Sequence, residues 1–168
     1  MILPILKLDD PLLINRSEEV KVIDEDIKKL VKNMFDTLYM ADGIGLAAPQ
    51  IGVLKRIFVI DIERKDNKFI FINPIIKDLS KKTIKTNEGC LSIPGISKEI
   101  IRSESLIVEY FDIDGKQKRL EANNILAVCI QHENDHLDGA LFIDRLSPEE
   151  RLKAVQEYKK SLRIGDNR

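Results

Sequence analysis

The stretch that decides the fold is Asn124-Ile-Leu-Ala-Val-Cys-Ile-Gln-His-Glu-Asn-Asp-His-Leu-Asp-Gly139, in a chain of 168 residues. We predict one helix here, with Asn123 or Asn124 as its N-cap and Gly139 just beyond its C-terminus. The run from Ile125 to Ile130 is apolar on nearly every side, which indicates a buried helix. The other elements are therefore expected to pack around it.

This helix carries the motif His-Glu-x-x-His, formed by His132, Glu133 and His136. The two histidines are the only ones in the sequence. Because a helix advances about 100° per residue, the three side chains face one small volume. Two imidazoles one turn apart can bind one metal ion, and the carboxylate between them can act as a base toward water. The motif therefore predicts a metal-assisted hydrolase.

A catalytic zinc or iron site normally has three protein ligands, and this helix supplies two. Cys129 lies one turn before His132, but helical side chains lean toward the N-terminus and a thiolate must come within about 2.3 Å of the metal. We therefore predict that Cys129 is a small buried residue. Cys90, which follows Gly89 in a tight segment, remains a candidate. Spacing alone leaves three carboxylates of the last helix as competitors: Glu149, Glu150 and Glu157.

Composition predicts one ordinary globular domain over residues 1–168. The sequence is 43% hydrophobic and has 27 basic and 28 acidic residues, a formal net charge of −1. Charge therefore does not suggest binding to nucleic acid or to a membrane surface. Pro4, Asp9 and Asp10 interrupt the N-terminus too early for a signal peptide, and no apolar run reaches the length of a membrane span. Two cysteines make no disulfide framework, so we expect a cytoplasmic protein.

Hydrophobic periodicity predicts helices toward both ends of the chain and strands between them. An amphipathic helix is predicted over 24–41, capped by Asp24, and a capping box at Ser147-Pro-Glu-Glu150 opens a helix to about Leu162. The apolar side of that last helix is predicted to be Leu152, Val155 and Leu162. Period-two patterns predict strands over 56–62, 68–72, 82–86, 98–101, 106–111 and 116–120, with a hairpin turn at Asp114-Gly115. Consecutive strands favour an antiparallel sheet, so the predicted class is α+β, with the strands packed around the buried metal-binding helix.

Between the first helix and the first of these strands lies Gly43-Ile-Gly-Leu-Ala-Ala-Pro-Gln50. Its glycines and small side chains predict no regular element. A phosphate-binding loop is not indicated, because the third glycine and the Lys-Ser/Thr ending are missing. Such a loop can let the backbone approach a ligand closely, with Gln50 offering an amide donor, and a plain turn is the alternative.

Three stretches in order resemble the peptide deformylases in their bacterial form: Gly43-Ile-Gly-Leu-Ala-Ala-Pro-Gln50, Glu88-Gly-Cys-Leu-Ser92 and Gln131-His-Glu-Asn-Asp-His-Leu-Asp-Gly139. The resemblance covers about residues 40–146 and assigns nothing to the opening segment or to the tail after Leu162. It implies an enzyme that hydrolyses N-formyl-methionine on nascent polypeptides and releases formate.

The same resemblance implies a role for each residue of the site. Cys90, His132 and His136 would bind one divalent ion, iron(II) or zinc, with Glu133 as general base and then general acid. The side-chain amide of Gln50 and the backbone N–H of Leu91 would stabilise the oxyanion. The positions assigned to substrate binding are Ile44, Gly45, Gly89, Val128, Cys129 and Arg102.

Among those substrate positions, Ile44, Val128 and Cys129 would line the methionine pocket. Ile44, Gly45 and Gly89 would present backbone to the peptide, as an added strand does. Arg102 would contact the peptide beyond the methionine. Asp135 and Gln131 would support the metal ligands.

Two other classes of function stay open on the residues alone. One is a His-Glu-x-x-His peptidase that cuts internal peptide bonds, with Glu157 as third ligand. The other is a non-enzymatic metal-binding domain in which Glu133 is a surface carboxylate and Gln50 has no role. The native metal, the oligomeric state and any contact of the last helix with the ribosome do not follow from the sequence.

Overall fold

The computed structural model describes residues 1–64 and 68–165. Within these ranges the α-helices are α1 (Glu25–Met40), α2 (Asn124–Leu137) and α3 (Pro148–Gly165). The strands are β1 (Gly45–Ala47), β2 (Ile57–Ile60), β3 (Phe69–Leu79), β4 (Thr83–Cys90), β5 (Ile93–Ser103), β6 (Ser105–Phe111) and β7 (Gln117–Asn123). Short 3₁₀ helices cover Pro11–Ile14, Ala48–Ile51 and Phe142–Arg145. The α+β class is confirmed.

The strands form two antiparallel sheets, and α2 contacts both of them. One sheet has the order β1-β2-β3-β6-β7, and the other is the β4-β5 hairpin. The helix packs against β1, β2, β6 and β7 of the larger sheet and against β5 of the smaller one. Side chains from both sheets therefore reach α2, so an element outside the helix can supply the third ligand that the His-Glu-x-x-His motif lacks.

The burial predicted for α2 is confirmed. From Ala127 to Leu137 every residue except Asn134 is buried. The helix begins after Asn123 and ends before Gly139, whose φ is +76°. A Cβ at Gly139 would lie 2.5 Å from the carbonyl oxygen of Ile14, so glycine is required both by the turn and by the space. No helix in the described parts of the chain is long and apolar enough to cross a membrane.

Asn123 occupies the N-cap position of α2 without a capping hydrogen bond from its side chain. The caps predicted at the other two helices are confirmed. The Asp24 carboxylate accepts a hydrogen bond from the N–H of Ile27 at 3.0 Å. Ser147 and Glu150 form the reciprocal pair of a capping box, with the Glu150 carboxylate accepting from the Ser147 N–H at 3.2 Å. The hairpin turn between β6 and β7 closes at Gly115, whose N–H donates to the carbonyl of Asp112.

The prediction of no regular element over 43–50 was wrong. Gly45 to Ala47 form β1, paired antiparallel with β2 in the register Gly45↔Ile60 and Ala47↔Phe58. This strand exists because β2 offers a free edge and because Leu46 and Ala47 are fully buried against the core. Local propensity, which disfavours glycine and alanine in strands, is overridden by tertiary pairing.

The apolar side predicted for α3 was right at Val155, which is partly buried and packs against a core cluster with β5, and wrong at the two leucines. Leu152 and Leu162 are 57% and 45% exposed, whereas Ala154 and Tyr158 are each 1% exposed. These two residues, four apart on one face, pack with β5 residues and Phe142 in a separate core cluster. The helix thus docks through a small residue and an aromatic ring, while its leucines face outward.

Candidate metal centre

Cys90, His132 and His136 come together at the junction of β4 and α2. Their ligand atoms all lie within 4.8 Å of one another. The Sγ of Cys90 is 3.3 Å from the Nε2 of His136. A tetrahedral ion with metal–sulfur and metal–nitrogen bonds of about 2.3 and 2.0 Å would separate two such atoms by about 3.5 Å. The separation of Cys90 and His136 therefore suits two ligands of one ion, and the grouping of all three side chains is compatible with a single metal site.

The charges of the site favour a bound cation. Burial alone would raise the pKa of the Cys90 thiol, but the adjacent His136 and His132 outweigh burial and hold that pKa well below its usual value. This shift favours the thiolate, the form that binds metals. Cys129 is the opposite case: burial, and then the charge of Glu133, raises its pKa to about 12. Cys129 stays a neutral thiol, which agrees with its exclusion as a ligand.

The competing ligands on α3 lie elsewhere. The carboxylate of Glu157 accepts from the Lys98 ammonium at 2.9 Å, Glu149 pairs with Lys153, and Glu150 caps its own helix. All three glutamates are exposed. Within residues 1–64 and 68–165, the one group of ligating side chains with metal-binding spacing is Cys90, His132 and His136.

Glu88 orients the first histidine, a role that the sequence analysis missed. Its Oε1 is 2.7 Å from the Nδ1 of His132, which leaves the Nε2 of that ring for a metal. Burial raises the pKa of Glu88, but hydrogen bonds from Arg102 and His132 bring it down to about 2. The available signal was the spacing of two between residues 88 and 90, which places them on one side of a regular strand, although the register shift at Gly89 interrupts that regularity here.

The predicted contact of Arg102 with the peptide was wrong. Arg102 is 4% exposed, and its guanidinium donates to both carboxylate oxygens of Glu88 and, at 2.8 Å, to Asp135. Its donors are thus directed to buried carboxylates and not to the substrate cavity. Asp135 supports the ligands through this chain, whereas the Gln131 amide bonds the backbone of Ser103 and Ala127 and ties α2 to β5.

We expect Glu88→Gln to weaken metal binding about tenfold, the low end for loss of an outer-sphere partner. The glutamine would present an amide donor to Arg102 or to His132, where only an acceptor fits. Metal content at fixed free metal concentration measures the effect. Glu109→Gln is the control, because Glu109 lies on β6 and pairs with Lys77 and Arg119. Equal affinity in the wild type and Glu88→Gln would contradict this role.

Glu133 lies against the backbone of β1. A Cβ placed on Gly45 would be 2.4 Å from the Oε1 of Glu133. The other oxygen, Oε2, is buried and has no hydrogen-bond partner among the described residues. Burial raises the pKa of this carboxyl, against the lowering effect of the two histidines. A buried carboxylate with one open acceptor is poised to receive a proton from a small ligand such as water.

Gly45→Ala should lower kcat between about tenfold and a hundredfold, because the new methyl group must displace the Glu133 carboxylate and small misplacements of the predicted general base are costly. Formate release from a formyl-methionyl peptide measures the rate, and metal content should stay at the wild-type level. An unchanged kcat would mean that β1 does not position Glu133.

Gln50 is held with its amide nitrogen toward the metal ligands. Its Oε1 accepts from the N–H of Ala47 at 2.9 Å, so its Nε2 points the other way. That nitrogen donates to the Oγ of Ser92 at 3.1 Å and lies 3.4 Å from the Sγ of Cys90. Leu91 follows Cys90 directly, in the turn that joins β4 to β5. Both predicted oxyanion donors thus adjoin the metal centre.

A cavity of about 780 Å³ opens onto this centre. It is lined by five of the six residues assigned to substrate binding: Ile44, Gly45, Gly89, Val128 and Cys129. Arg102 is absent from its lining, in agreement with its burial. Its lining includes the apolar side chains of Ile44, Val128 and Cys129 and the polar side chains of Glu133 and His132. Such a site binds an apolar side chain beside a hydrolytic centre.

The comparisons with known proteins identify a single family. The family model described as polypeptide deformylase matches residues 2–152. A peptide deformylase from Wolbachia pipientis wMel is 47% identical over 97% of this chain and 96% of its own length. The crystal structure of a peptide deformylase from Legionella pneumophila superposes with a TM-score of 0.94, at 40% identity over 100% of this chain and 99% of that one. A peptide deformylase from Ehrlichia chaffeensis in complex with actinonin superposes at 0.90, with 40% identity over 95% and 97% of the two chains.

The Cys-His-His group, the buried glutamate beside it and the match along most of the chain have one explanation. The chain belongs to the polypeptide deformylase family, the metal-dependent hydrolases that remove the N-terminal formyl group from newly made polypeptides.

Proposed function

We propose that Cys90, His132 and His136 bind the metal ion of this deformylase and that Glu133 is its general base. The observation that carries the proposal is the convergence of the three ligand atoms within 4.8 Å, next to a buried carboxylate oxygen that lacks a partner in the described structure. When bound, a divalent ion supplies Lewis acidity that makes water reactive at neutral pH. The residues of the chain supply the remaining steps.

Glu133 moves the proton. Its Oε2 takes a proton from the attacking water as the oxygen bonds to the formyl carbon. The same carboxyl then gives that proton to the peptide nitrogen as the carbon–nitrogen bond breaks, and formate and a free amino terminus are released. Burial keeps the pKa of Glu133 above its usual value, which suits a group that must both accept and donate.

Gln50 and Leu91 stabilise the negative charge that develops on the formyl oxygen. The bond from Ala47 N–H to Oε1 fixes the orientation of the Gln50 amide, so its Nε2 is preorganised as a donor. The backbone N–H of Leu91 would be the second donor, held by the turn after Cys90. A preorganised donor of this kind typically contributes about a hundredfold or more to the rate.

The substrate peptide lies as a strand between two backbone edges. The first is β1, the outermost strand of the larger sheet, at Gly45 and the preceding Ile44; the second is β4 at Gly89. Hydrogen bonds to these edges would align the peptide, and the side-chain pocket of Ile44, Val128 and Cys129 would take the methionine. The reacting carbonyl carries only hydrogen, so a tight site rejects bulkier acyl groups.

The ion is iron(II) or zinc. One thiolate and two imidazoles form a donor set that both metals accept, whereas magnesium and calcium prefer oxygen. The decisive experiment prepares the protein anaerobically, loads it in parallel with iron(II) and with zinc, and measures formate from a formyl-methionyl peptide together with metal per chain. Formate from protein with one metal per chain supports the proposal, and the ratio of rates identifies the better metal. Shorter peptides in place of formate would indicate a peptidase, and intact peptide a non-enzymatic metal protein.

We place the reaction in the cytoplasm, where nascent polypeptides are made, and we propose that α3 contacts the ribosome. Lys159 and Lys160 are exposed toward the C-terminal end of α3 and could reach an acidic surface. Sedimentation with ribosomes tests this contact, and K159E/K160E should remain in the supernatant while it releases formate at the wild-type rate.

A further inference from the structure

Three consecutive residues near the N-terminus bond the segments that carry the two oxyanion donors. The Leu6 N–H donates to the carbonyl of Gln50 at 2.8 Å, and the Leu8 N–H donates to the carbonyl of Ser92 at 3.0 Å. Between them, the Lys7 ammonium donates to the carbonyl of Leu91 at 2.9 Å. We call residues 5–8 the N-terminal strap. Residues 5–8 belong to neither sheet, so these hydrogen bonds are not part of a strand pairing.

The turn that the strap holds closes the two-stranded sheet of β4 and β5. The pairing of β4 with β5 also shifts register between Gly89 and Cys90, just before the turn. The bond from Gln50 to Ser92 crosses from the other donor segment. The strap therefore joins the segments of Gln50 and of Leu91, whose spacing must suit one oxygen atom.

We propose that Lys7 is a positioning residue for the deformylation reaction, acting through the peptide backbone at Leu91. Its ammonium, on an exposed side chain, makes a charge-assisted hydrogen bond to the turn that presents the Leu91 N–H. Lys7 also lines the cavity beside Leu91, as does Ile5. Ile5 and Leu8 pack against two different core clusters, which anchors the strap on both sides of Lys7.

This inference rests on the proposed role of Leu91 as an oxyanion donor. The direction of the Leu91 N–H matters most in the transition state, when negative charge develops on the formyl oxygen. Loosening the turn should therefore lower kcat more than it weakens substrate binding. Complete loss of such a donor costs about a hundredfold or more, and a misaligned donor keeps part of its effect. We therefore expect about a tenfold loss in kcat when the ammonium is removed, with KM unchanged within about twofold.

The test uses the metal-loaded full-length protein with three variants. Lys7→Met keeps the aliphatic stem and loses the charge, and Lys7→Arg keeps a cationic donor. Lys55→Met is the matched control, because Lys55 pairs with Glu18 on the surface away from the cavity. The expected result is a tenfold lower kcat for Lys7→Met, near-wild-type kcat for Lys7→Arg and for Lys55→Met, and equal metal content and melting temperature in all of them.

Two results would overturn the proposal. One is a kcat for Lys7→Met within about twofold of wild type. The other is a loss of rate that follows a loss of metal or of melting temperature, since that would make Lys7 merely structural. Gln50→Ala separates this failure from failure of the site itself. A slow Gln50→Ala beside a normal Lys7→Met removes the role of Lys7 alone, whereas normal rates for both variants count against the oxyanion pair of Gln50 and Leu91 on which that role rests.

Discussion

Glu133→Gln is expected to keep the metal and to release formate at least about a hundredfold more slowly, the low end for loss of a general base. Glutamine has nearly the size of glutamate, so it fits the space left by Gly45, where a Cβ would come within 2.4 Å of Oε1. It cannot take a proton from water. Because the metal ligands are His132, His136 and Cys90 in the proposed site, their donor set is untouched by this change.

The measurement pairs kcat/KM on a formyl-methionyl peptide with metal per chain in the same sample. Glu157→Gln is the matched control, since the carboxylate of Glu157 is exposed and pairs with Lys98. It should keep both metal and rate, and loss of metal in this variant would revive the peptidase alternative with Glu157 as a ligand. Near-normal turnover by metal-loaded Glu133→Gln would remove Glu133 from the mechanism.

The helix that carries Glu133 was predictable because its signals are local. A continuous apolar run, a residue suited to its N-terminus and Gly139 after its end lie within one short stretch, and helical geometry relates His132 to His136 without reference to the rest of the chain. The same holds for the capping box at Ser147. Such features depend on residues a few positions apart, which the sequence displays directly.

The features that were missed depend on distant partners. Strand β1 exists because β2 pairs with it, and nothing in Gly45-Leu-Ala47 announces a strand. Arg102 looks like a surface residue available to a peptide until Glu88 and Asp135 are seen on either side of it. The docking face of α3 likewise follows from the position of β5 and not from its own leucines. In each case the decisive contact joins residues far apart in the sequence, and hydrophobic periodicity does not predict such contacts.

Cys90 shows how far reasoning from residues could go. Geometry along the helix disfavoured Cys129, but spacing alone left Cys90 competing with three glutamates. Only the resemblance to deformylases chose between them before the fold was known. In the structure Cys90 ends β4 with its Sγ 3.3 Å from His136, while the glutamates lie on the exposed side of α3. One ligand lies on a strand and two lie on a helix, so the complete ligand set can be predicted only when the packing of that strand against the helix is known.

Cys90→Ser should lower metal affinity by at least about a hundredfold, whereas Cys129→Ser should leave it unchanged. Binding at a zinc site of four ligands is worth about 10–16 kcal/mol, so one lost ligand removes roughly 3 kcal/mol. The two variants make the same chemical change. The difference lies in the thiols: neighbouring imidazoles lower the pKa of Cys90, while burial raises that of Cys129 to about 12.

Metal per chain, measured after dialysis against a fixed concentration of free zinc, gives the comparison. Melting temperatures of the metal-free proteins show whether either serine variant is misfolded, which would otherwise imitate a lost ligand. Cys129→Ser puts a hydroxyl among buried apolar residues, so a modest loss of stability with full metal content is the expected pattern. If metal loss instead followed Cys129 while Cys90→Ser stayed fully loaded, the ligand would sit on the helix, one turn before His132, and the junction of β4 with α2 would have no part in binding the ion.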